Sequence, residues 1–484
     1  MIEGVKQFKD PVHGYIAISV DFCDKFIDTA IFQRLRNIEQ TSMRCLFPGA
    51  HHDRFVHSIG VFHLGRRVYE ALKQNTTVEI LKELQDDKLR QTFLVACLMH
   101  DCGHAPFSHT LEKYYNEDGK TNHKVAFLRL KEIFSIGDEE RDHEFDFSRG
   151  KAFNEHEAMS AIVLKRYFEK GNESIFDCDL AARMIIGRKK KTSSLRPLTL
   201  RNKIENALIT LLNSSAIDVD KLDYVLRDTW ASGVKNFSVD IDRLLQSATL
   251  VMEKEEIHVA YKKAALSVIQ SVIDARNYLF TWIYNHHTVL YYAELLNLAV
   301  KDLGQAIDGK KGNGFCLKAL FSEKAFGCAM PLRSKRDKLC MRLPNDGDIL
   351  SLIKVFCPDS VAYRIYESRQ ERHFALWKTE SEHRLLFGEH SFKLTKEDAL
   401  ERIKKEFEIS AFDIICCKAN PKRYTLEPSD IKIDFKGQLK SFTEVVRTSN
   451  EVRANGDFYY IYLAKSWLGK KQEILESLIH YVRS

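Results

Sequence analysis

Through most of the first 300 positions, apolar residues recur every three or four places, the spacing that lays one stripe along a helix. FCDKFIDTAIFQRLRNI (22–38) and ALSVIQSVIDARNYLFTWIYNHHTVLYYAELLNLAVKDL (265–303) show it most clearly. AIDVDKLDYVLRD (216–228) reads as a helix whose buried stripe is Leu222, Val225 and Leu226. Asp220, Lys221, Tyr224 and Asp228 then share a second face. Mixed charge on such a face is the ordinary mark of a solvated helix side. A tyrosine among acids and a lysine equally suits contact with a nucleotide or sugar. In FLVACLMHDCGHAPFSH (93–109), the mostly apolar run Phe93 to Met99 predicts a buried helix. It stops at His100-Asp101, because Gly103 and Pro106 both resist helix continuation. Within residues 1–20, the alternation in DPVHGYIAI predicts a short β-hairpin. From about residue 316 the texture changes. VAYRIYESRQERHFALWK (361–378) and DFYYIYLAKSW (457–467) read as strands, and KEDALERIKKEFEI (396–409) as a helix. GRKKKTSSLRP (187–197) reads as a basic loop, and the Gly- and Lys-rich KDLGQAIDGKKGNGF (301–315) as a hinge or turn.

Composition narrows the class. The chain of 484 residues exceeds one ordinary domain, and its 44% apolar content can fill a large interior. A net charge of +6, from 73 basic and 67 acidic residues, is only mildly basic. It suits a collector of polyanions without arguing for nucleic acid, which would leave a basic stripe interleaved with aromatics. The 11 cysteines are odd in number and form no C-x-x-C pair. No apolar signal region opens the chain, and no stretch approaches 18 apolar residues. Reduced, mostly buried thiols in a cytoplasmic protein are expected.

The candidate chemistry centres on His100-Asp101. A neutral imidazole beside a carboxylate suits Fe, Mn, Zn or Mg rather than Cu(I). His104, Ser108 and His109 follow within nine positions. His57, in RFVHSIGVFHLG, lies among apolar neighbours and is either a hydrogen-bonded core histidine or a metal ligand.

The order H … HD … D resembles the HD-domain phosphohydrolases. DPVHGYIAI, IDTAIFQRLRNIEQ, FPGAHHDRFVHSIGV, HDCGHAPFSH and IDVDKLDYVLRD are together similar to the HD-domain deoxynucleoside triphosphate triphosphohydrolases, over about residues 5–300. The resemblance implies a mainly α fold: a helical HD-domain core over 1–300 with an N-terminal hairpin. A C-terminal α+β lobe over 316–484 would serve oligomerisation or regulation. It implies a divalent metal on His57, His100, Asp101 and Asp220, and attack at the α-phosphorus that releases deoxynucleoside and inorganic triphosphate. His109 and His156 become candidate general acids oriented by Glu112, where the family usually has aspartate. Arg54, Lys221 and Arg276 fall at phosphate positions, and His104 near the α-phosphate. Gln40, Tyr224 and Asp228 fall around the sugar. Tyr284 matches the tyrosine that packs against C2′ and disfavours a ribose hydroxyl. Lys6, Asp28, Gln33 and Arg36 match an activating site for GTP, and Arg243 and Lys262 a second, dNTP effector site. There Ala264 and Val268 depart from the lysine and asparagine of vertebrate members. Cys102 stands where the family often has leucine, and reads as a small packing residue rather than a redox switch. The implied assembly is a homo-oligomer, dimer or tetramer, with a dNTP substrate and no membrane. Two other readings stay open: an HD phosphodiesterase or nucleotidase acting on another nucleotide, and a non-catalytic nucleotide- or nucleic-acid-binding regulator.

Overall fold

The computed structural model describes residues 4–116, 154–191, 197–308, 315–331, 340–388, 398–419, 426–435, 437–446 and 458–483. The expected hairpin is present: β1 (Val5–Asp10) pairs antiparallel with β2 (Gly14–Ser19), from Val5↔Ser19 to Asp10↔Gly14. Its turn is closed by Asp10, whose Oδ1 accepts the N–H groups of Val12 and His13, both at 2.8 Å. Gly14 takes φ +76°, a conformation that favours a residue without Cβ.

The single helix expected over 22–38 is instead three short pieces: a π turn (Cys23–Ile27), an α turn (Ala30–Gln33) and a 3₁₀ turn (Arg34–Asn37). Thr29 resets the chain. Its hydroxyl donates to the Phe26 carbonyl and accepts from the Phe32 N–H, a local bond that competes with helix continuation. Phe26, Phe32 and Leu35 are still fully buried, so the apolar spacing survived while the backbone did not stay regular.

The core helices are α1 (Arg54–Asn75), α2 (Asp87–Met99), α3 (Glu155–Phe168), α4 (Cys178–Ile185), α5 (Leu200–Leu212) and α6 (Val219–Ala231). Asp53, Asp86 and Asp218 cap α1, α2 and α6 by accepting a first-turn N–H. α1 packs on α2 and α6, and α4 packs on α2 and α3. α2 ends at Met99 with His100 as its cap, where the sequence placed the stop. Gly103 has a second role. A Cβ there would lie 2.4 Å from the Ser160 backbone nitrogen, so only glycine lets α3 come this close to the His100-Asp101 turn. Cys102 is buried there, its Sγ 3.7 Å from the Ser160 carbonyl, and burial pushes its thiol far up, as for a packing residue. The ten cysteines whose side chains are described are free thiols.

After α6 come β3 (Ala248–Glu253), β4 (Glu256–Lys262), α7 (Leu266–Tyr278), a π turn (Leu279–Tyr284) and α8 (His287–Asp308). Residues 301–308 of the expected hinge are thus helical, and 309–314 lie outside the described residues, as do 192–196 of the basic loop. Further on are α9 (Asp346–Phe356) and α10 (Val361–Ser368). α10 corrects the strand expected at 361–378. Ser360 caps it by accepting the Tyr363 N–H, and Ala362, Tyr363 and Ile365 turn to the core at helical spacing. Its aromatic and β-branched composition misled. Arg369 ends the helix at φ +59°, and only β5 (Phe374–Ala375) is extended. The helix expected at 396–409 is α11 (Asp398–Glu406), and the strand expected at 457–467 is β9 (Phe458–Leu463).

β9 is the middle of an antiparallel sheet between β5 and β6 (Ile414–Ala419). β7 (Lys432–Phe435) and β8 (Gln438–Ser441) extend the other sheet, in the order β8-β7-β4-β3. β7 joins β4 in parallel, so a C-terminal strand is hydrogen-bonded into the sheet that follows the helical core. The structure is mainly helical with sheets toward the C-terminus. Among the described residues no helix is long and apolar enough to cross a membrane.

Candidate active site

Three elements meet at one point. α1 supplies Arg54 and His57, the turn after α2 supplies His100 and Asp101, and the first turn of α6 supplies Asp220. His57 Nε2 lies 3.3 Å from His100 Nε2, 3.0 Å from Asp220 Oδ1 and 3.7 Å from Asp101 Oδ2. His100 Nε2 is 3.6 Å from both Asp101 Oδ2 and Asp220 Oδ1. Nitrogen and oxygen donors bound about 2.1 Å from one ion sit about 3.0–3.4 Å apart, so the spacing fits a cation. The donors' outer faces are already committed. His57 Nδ1 is 2.7 Å from Asp223 Oδ2, and His100 Nδ1 is 2.9 Å from the Cys97 carbonyl. With Nδ1–H donating in both rings, the two Nε2 lone pairs face each other and two carboxylates. That arrangement is repulsive unless a positive charge sits among them. Burial disfavours charge on His57, yet hydrogen bonds to Asp220 and Asp223 push its imidazole up to about 10. Asp101 is buried, which alone would raise it, but the charges of Arg54 and then His100 hold it well below the usual carboxylate range.

Behind this cluster lies a carboxylate the sequence reading passed over. Asp223 is fully buried and touches His57, His13 (Nε2 to Oδ1, 2.6 Å) and Arg227. Burial would raise its pKa, but the Arg227 charge and the two histidine hydrogen bonds hold it well below. Leu226 is only half-buried, whereas Asp223 and Arg227 fill the stripe beside Leu222 and Val225. The available signal was an i, i+4 acid–arginine pair among apolar neighbours. Gly60 of α1 makes the room: a Cβ there would lie 1.9 Å from Asp223 Oδ1 and 2.6 Å from Arg227 Nη2.

A second cluster stands beside the first. Glu112 Oε2 lies 3.1 Å from His109 Nδ1 and 2.9 Å from His156 Nδ1, bridging two imidazoles. His156 comes from the first turn of α3, held by the Asn154–Glu157 capping box. Desolvation opposes charge on His156, but Glu112 outweighs it and raises the pKa; desolvation wins at His109 and lowers it. The ring of His104 stacks on His156 at 4.4 Å, with neither nitrogen partnered among the described residues. Burial, then the charges of Arg54 and His156, keep it neutral.

Both clusters border a cavity of about 1070 Å³, into which Asp101, Asp220, His109, Glu112 and His156 face. Gln40, Lys221, Tyr224, Asp228, Arg276 and Tyr284 line it as well. Arg276 is 4% exposed, lies over the Phe280 ring at 4.2 Å, and leaves Nε and Nη2 without partners among the described residues. Gln40 leaves Oε1 unpartnered in the same way. Such buried, unmatched groups are costly unless a ligand completes them. Arg54 is different: it already binds Asp101, Ser108 Oγ (2.8 Å) and the Gln40 carbonyl (3.1 Å). Lys221 Nζ is engaged by Asp218 (2.6 Å) and the Ser214 carbonyl (2.8 Å), and burial pushes Asp218 up to about 6 despite that lysine. Asp228 accepts from the Tyr284 hydroxyl and sits 2.6 Å from His52 Nε2, a buried partner absent from the sequence reading.

Of the residues expected around effectors, four share a surface. Lys6 pairs with Asp28, Gln33 Nε2 donates to the Ile27 carbonyl, and Arg36 donates to Gln33 Oε1 and lies 3.6 Å from the Phe55 ring centre. Lys262 binds Asn75 at the other end of α1, about 30 Å along the helix from Phe55 at 1.5 Å per residue. Arg243 is exposed on the short helix Ile241–Gln246.

The chain is similar to several known proteins. An uncharacterized protein of Bacillus subtilis, YwfO, is 31% identical over 282 residues, covering 58% of this chain and 52% of that protein. The deoxynucleoside triphosphate triphosphohydrolase SAMHD1 of Danio rerio is 30% identical over 293 residues, 59% of this chain and 43% of that protein. The chain thus spans about half the length of these curated relatives. A hypothetical protein from Aquifex aeolicus of known crystal structure has the same fold, with a TM-score of 0.63 at 19% identity, over 98% of this chain and 100% of that one. The HD domain family matches residues 54–227. Those residues hold His57, His100, Asp101 and Asp220, and they are an HD domain.

Proposed function

We propose that this chain is a divalent-metal-dependent hydrolase of deoxynucleoside triphosphates that yields deoxynucleoside and inorganic triphosphate, and that nucleotide binding activates it as a homo-oligomer. One observation carries the reaction. A metal-type cluster, a bridged imidazole–carboxylate cluster and a buried arginine with two donors unpartnered among the described residues all border one cavity. A metal held by His57, His100, Asp101 and Asp220 would supply Lewis-acid polarisation of a phosphoryl oxygen and a more acidic water. Asp223 and the Cys97 carbonyl fix the tautomers of the two histidine ligands. Arg54 holds Asp101 in place. Arg276 offers a planar pair of donors to phosphate oxygens. When water adds to the α-phosphorus, the P–O5′ bond breaks with its electron pair on O5′, which needs a proton. The His109–Glu112–His156 set stores it, with the charged form of His156 stabilised by Glu112. The Tyr284–Asp228–His52 chain stiffens the far wall, where a sugar hydroxyl would meet Asp228 and Gln40. SAMHD1 of Danio rerio, 30% identical over 293 residues, is named for this substrate class. The surface of Lys6, Asp28, Gln33 and Arg36 pairs an acid and an amide with two cations, a set suited to a guanine nucleotide.

The test is product chromatography with each dNTP and rNTP, with Mn²⁺ or Mg²⁺, with and without GTP or a second dNTP, alongside light scattering for mass. Deoxynucleoside plus intact triphosphate is expected. Monophosphate plus pyrophosphate, or equal rates on ribonucleotides, refutes the reaction. Mass and rate that ignore added nucleotide refute the activation.

A further inference from the structure

We propose that the turn of the N-terminal hairpin is a working part of the metal centre, with His13 the positioning residue that, through Asp223, holds His57 in its ligand orientation. This rests on the reading of His57 as a metal ligand.

The inference comes from how Asp223 is shared. A carboxylate has about four acceptor positions. Here Oδ2 meets His57 Nδ1 (2.7 Å) and Arg227 Nε (2.9 Å), and Oδ1 meets His13 Nε2 (2.6 Å) and Arg227 Nη2 (3.1 Å). All four positions are filled, so neither the carboxylate plane nor the His57 ring can rotate without breaking a bond. Arg227 is itself fixed from the hairpin, since its Nη1 donates to Asp10 Oδ2 at 2.9 Å. The same Asp10 closes the turn that presents His13, through its other oxygen. One five-residue turn therefore supplies both an imidazole to Asp223 and the acid that orients the arginine. Every member is shielded: the His13 side chain is 3% exposed, and those of Asp10, Asp223 and Arg227 are 4%, 0% and 1%. The Gly60 cradle adds an independent observation, because α1 leaves space at that point for the Asp223 carboxylate and the Arg227 guanidinium. Without His13, Oδ1 keeps only its longer bond to Arg227, and the His57 ring loses a rigid partner. Loss of such an outer partner typically weakens metal binding 10–100-fold.

The experiment uses the full chain and Mn²⁺ in competition with a chelating dye, with thermal melting of each metal-free protein in parallel. His13→Ala is expected to bind Mn²⁺ 10–100-fold more weakly. His13→Gln, whose amide nitrogen can reach Asp223, is expected to recover to within about threefold of wild type. Wild-type Mn²⁺ affinity in folded His13→Ala overturns the proposal. So does a lowered melting temperature with unchanged affinity, which would leave His13 a role in hairpin stability alone. Should His13→Ala not fold, His13→Gln against the shorter His13→Asn decides: equal affinities overturn the proposal, and tighter binding by Gln supports it. His57→Ala must abolish binding. If it binds as wild type, the ligand assignment itself fails, an outcome separable from the others.

Discussion

Alanine at Gly60 should destabilise the protein, although the same change inside a helix ordinarily stabilises it by about 1 kcal/mol. The new Cβ would stand 1.9 Å from Asp223 Oδ1 and 2.7 Å from its Cγ. Ordinary carbon–oxygen contact begins near about 3.3 Å, so the carboxylate has to retreat by about 1.4 Å. That carries the bonds to His13 and His57, now 2.6 and 2.7 Å, beyond hydrogen-bonding range. Breaking up a buried, fully paired carboxylate costs about 3–5 kcal/mol. Net of the helix gain, about 2–4 kcal/mol should be lost, a large part of the stability of an ordinary domain. The assay is urea denaturation of the metal-free protein followed by far-UV circular dichroism, reading the first cooperative transition. Gly347→Ala is the control: Gly347 also lies in a helix, and its added Cβ would meet nothing closer than 3.4 Å. It should stay within about 1 kcal/mol of wild type. A Gly60→Ala protein as stable as that control would refute the account of the Asp223 cradle.

Three further outcomes are expected. Asp220→Ala should bring bound metal per chain, read by elemental analysis, and turnover down together; unchanged metal content removes Asp220 from the cluster. Arg276→Ala should lower kcat/KM for a triphosphate by about 10²–10³-fold at unchanged metal content, with Arg276→Lys recovering little because a point charge lacks the planar pair of donors; full recovery by lysine would contradict bidentate phosphate contact. Asp346 tests pH dependence. Burial pushes it up to about 7 from an ordinary 3.8, although it accepts the N–H groups of Glu39 and Phe107. A raised carboxyl stabilises most below pH 3.8 and loses that contribution as pH climbs through 7, about 4 kcal/mol in total. Asp346→Asn should flatten the fall in urea midpoint between pH 5 and 8, and an unchanged slope would show that Asp346 does not titrate there.

Local signals in the chain were strong where one residue's chemistry decides the backbone. The alternation in DPVHGYIAI announced the hairpin, and Gly103 and Pro106 announced the end of α2. Signals failed where capping competes with spacing. Thr29 divides the 22–38 pattern, and Ser360 starts a helix in a segment whose aromatic and β-branched composition argued for a strand. Asp223, His13 and His52 were illegible for another reason: Asp223 lies 210 residues from His13 and 166 from His57, and His52 lies 176 from Asp228. An aspartate inside LDYVLRD looks like any helix charge until the hairpin and α1 close around it.

By itself the sequence determined which residue types are present, in what order, and how each short stretch prefers to turn. That was enough for the helical core, the stop at His100-Asp101 and a candidate ligand order. Tertiary structure decided what those groups are worth. Only packing brings His57, His100, Asp101 and Asp220 close together, commits Arg54 to a carboxylate, and leaves two Arg276 donors unpartnered among the described residues. The physical reason is that hydrogen-bond satisfaction and burial are set by long-range neighbours, whereas propensity and capping are set within a few residues.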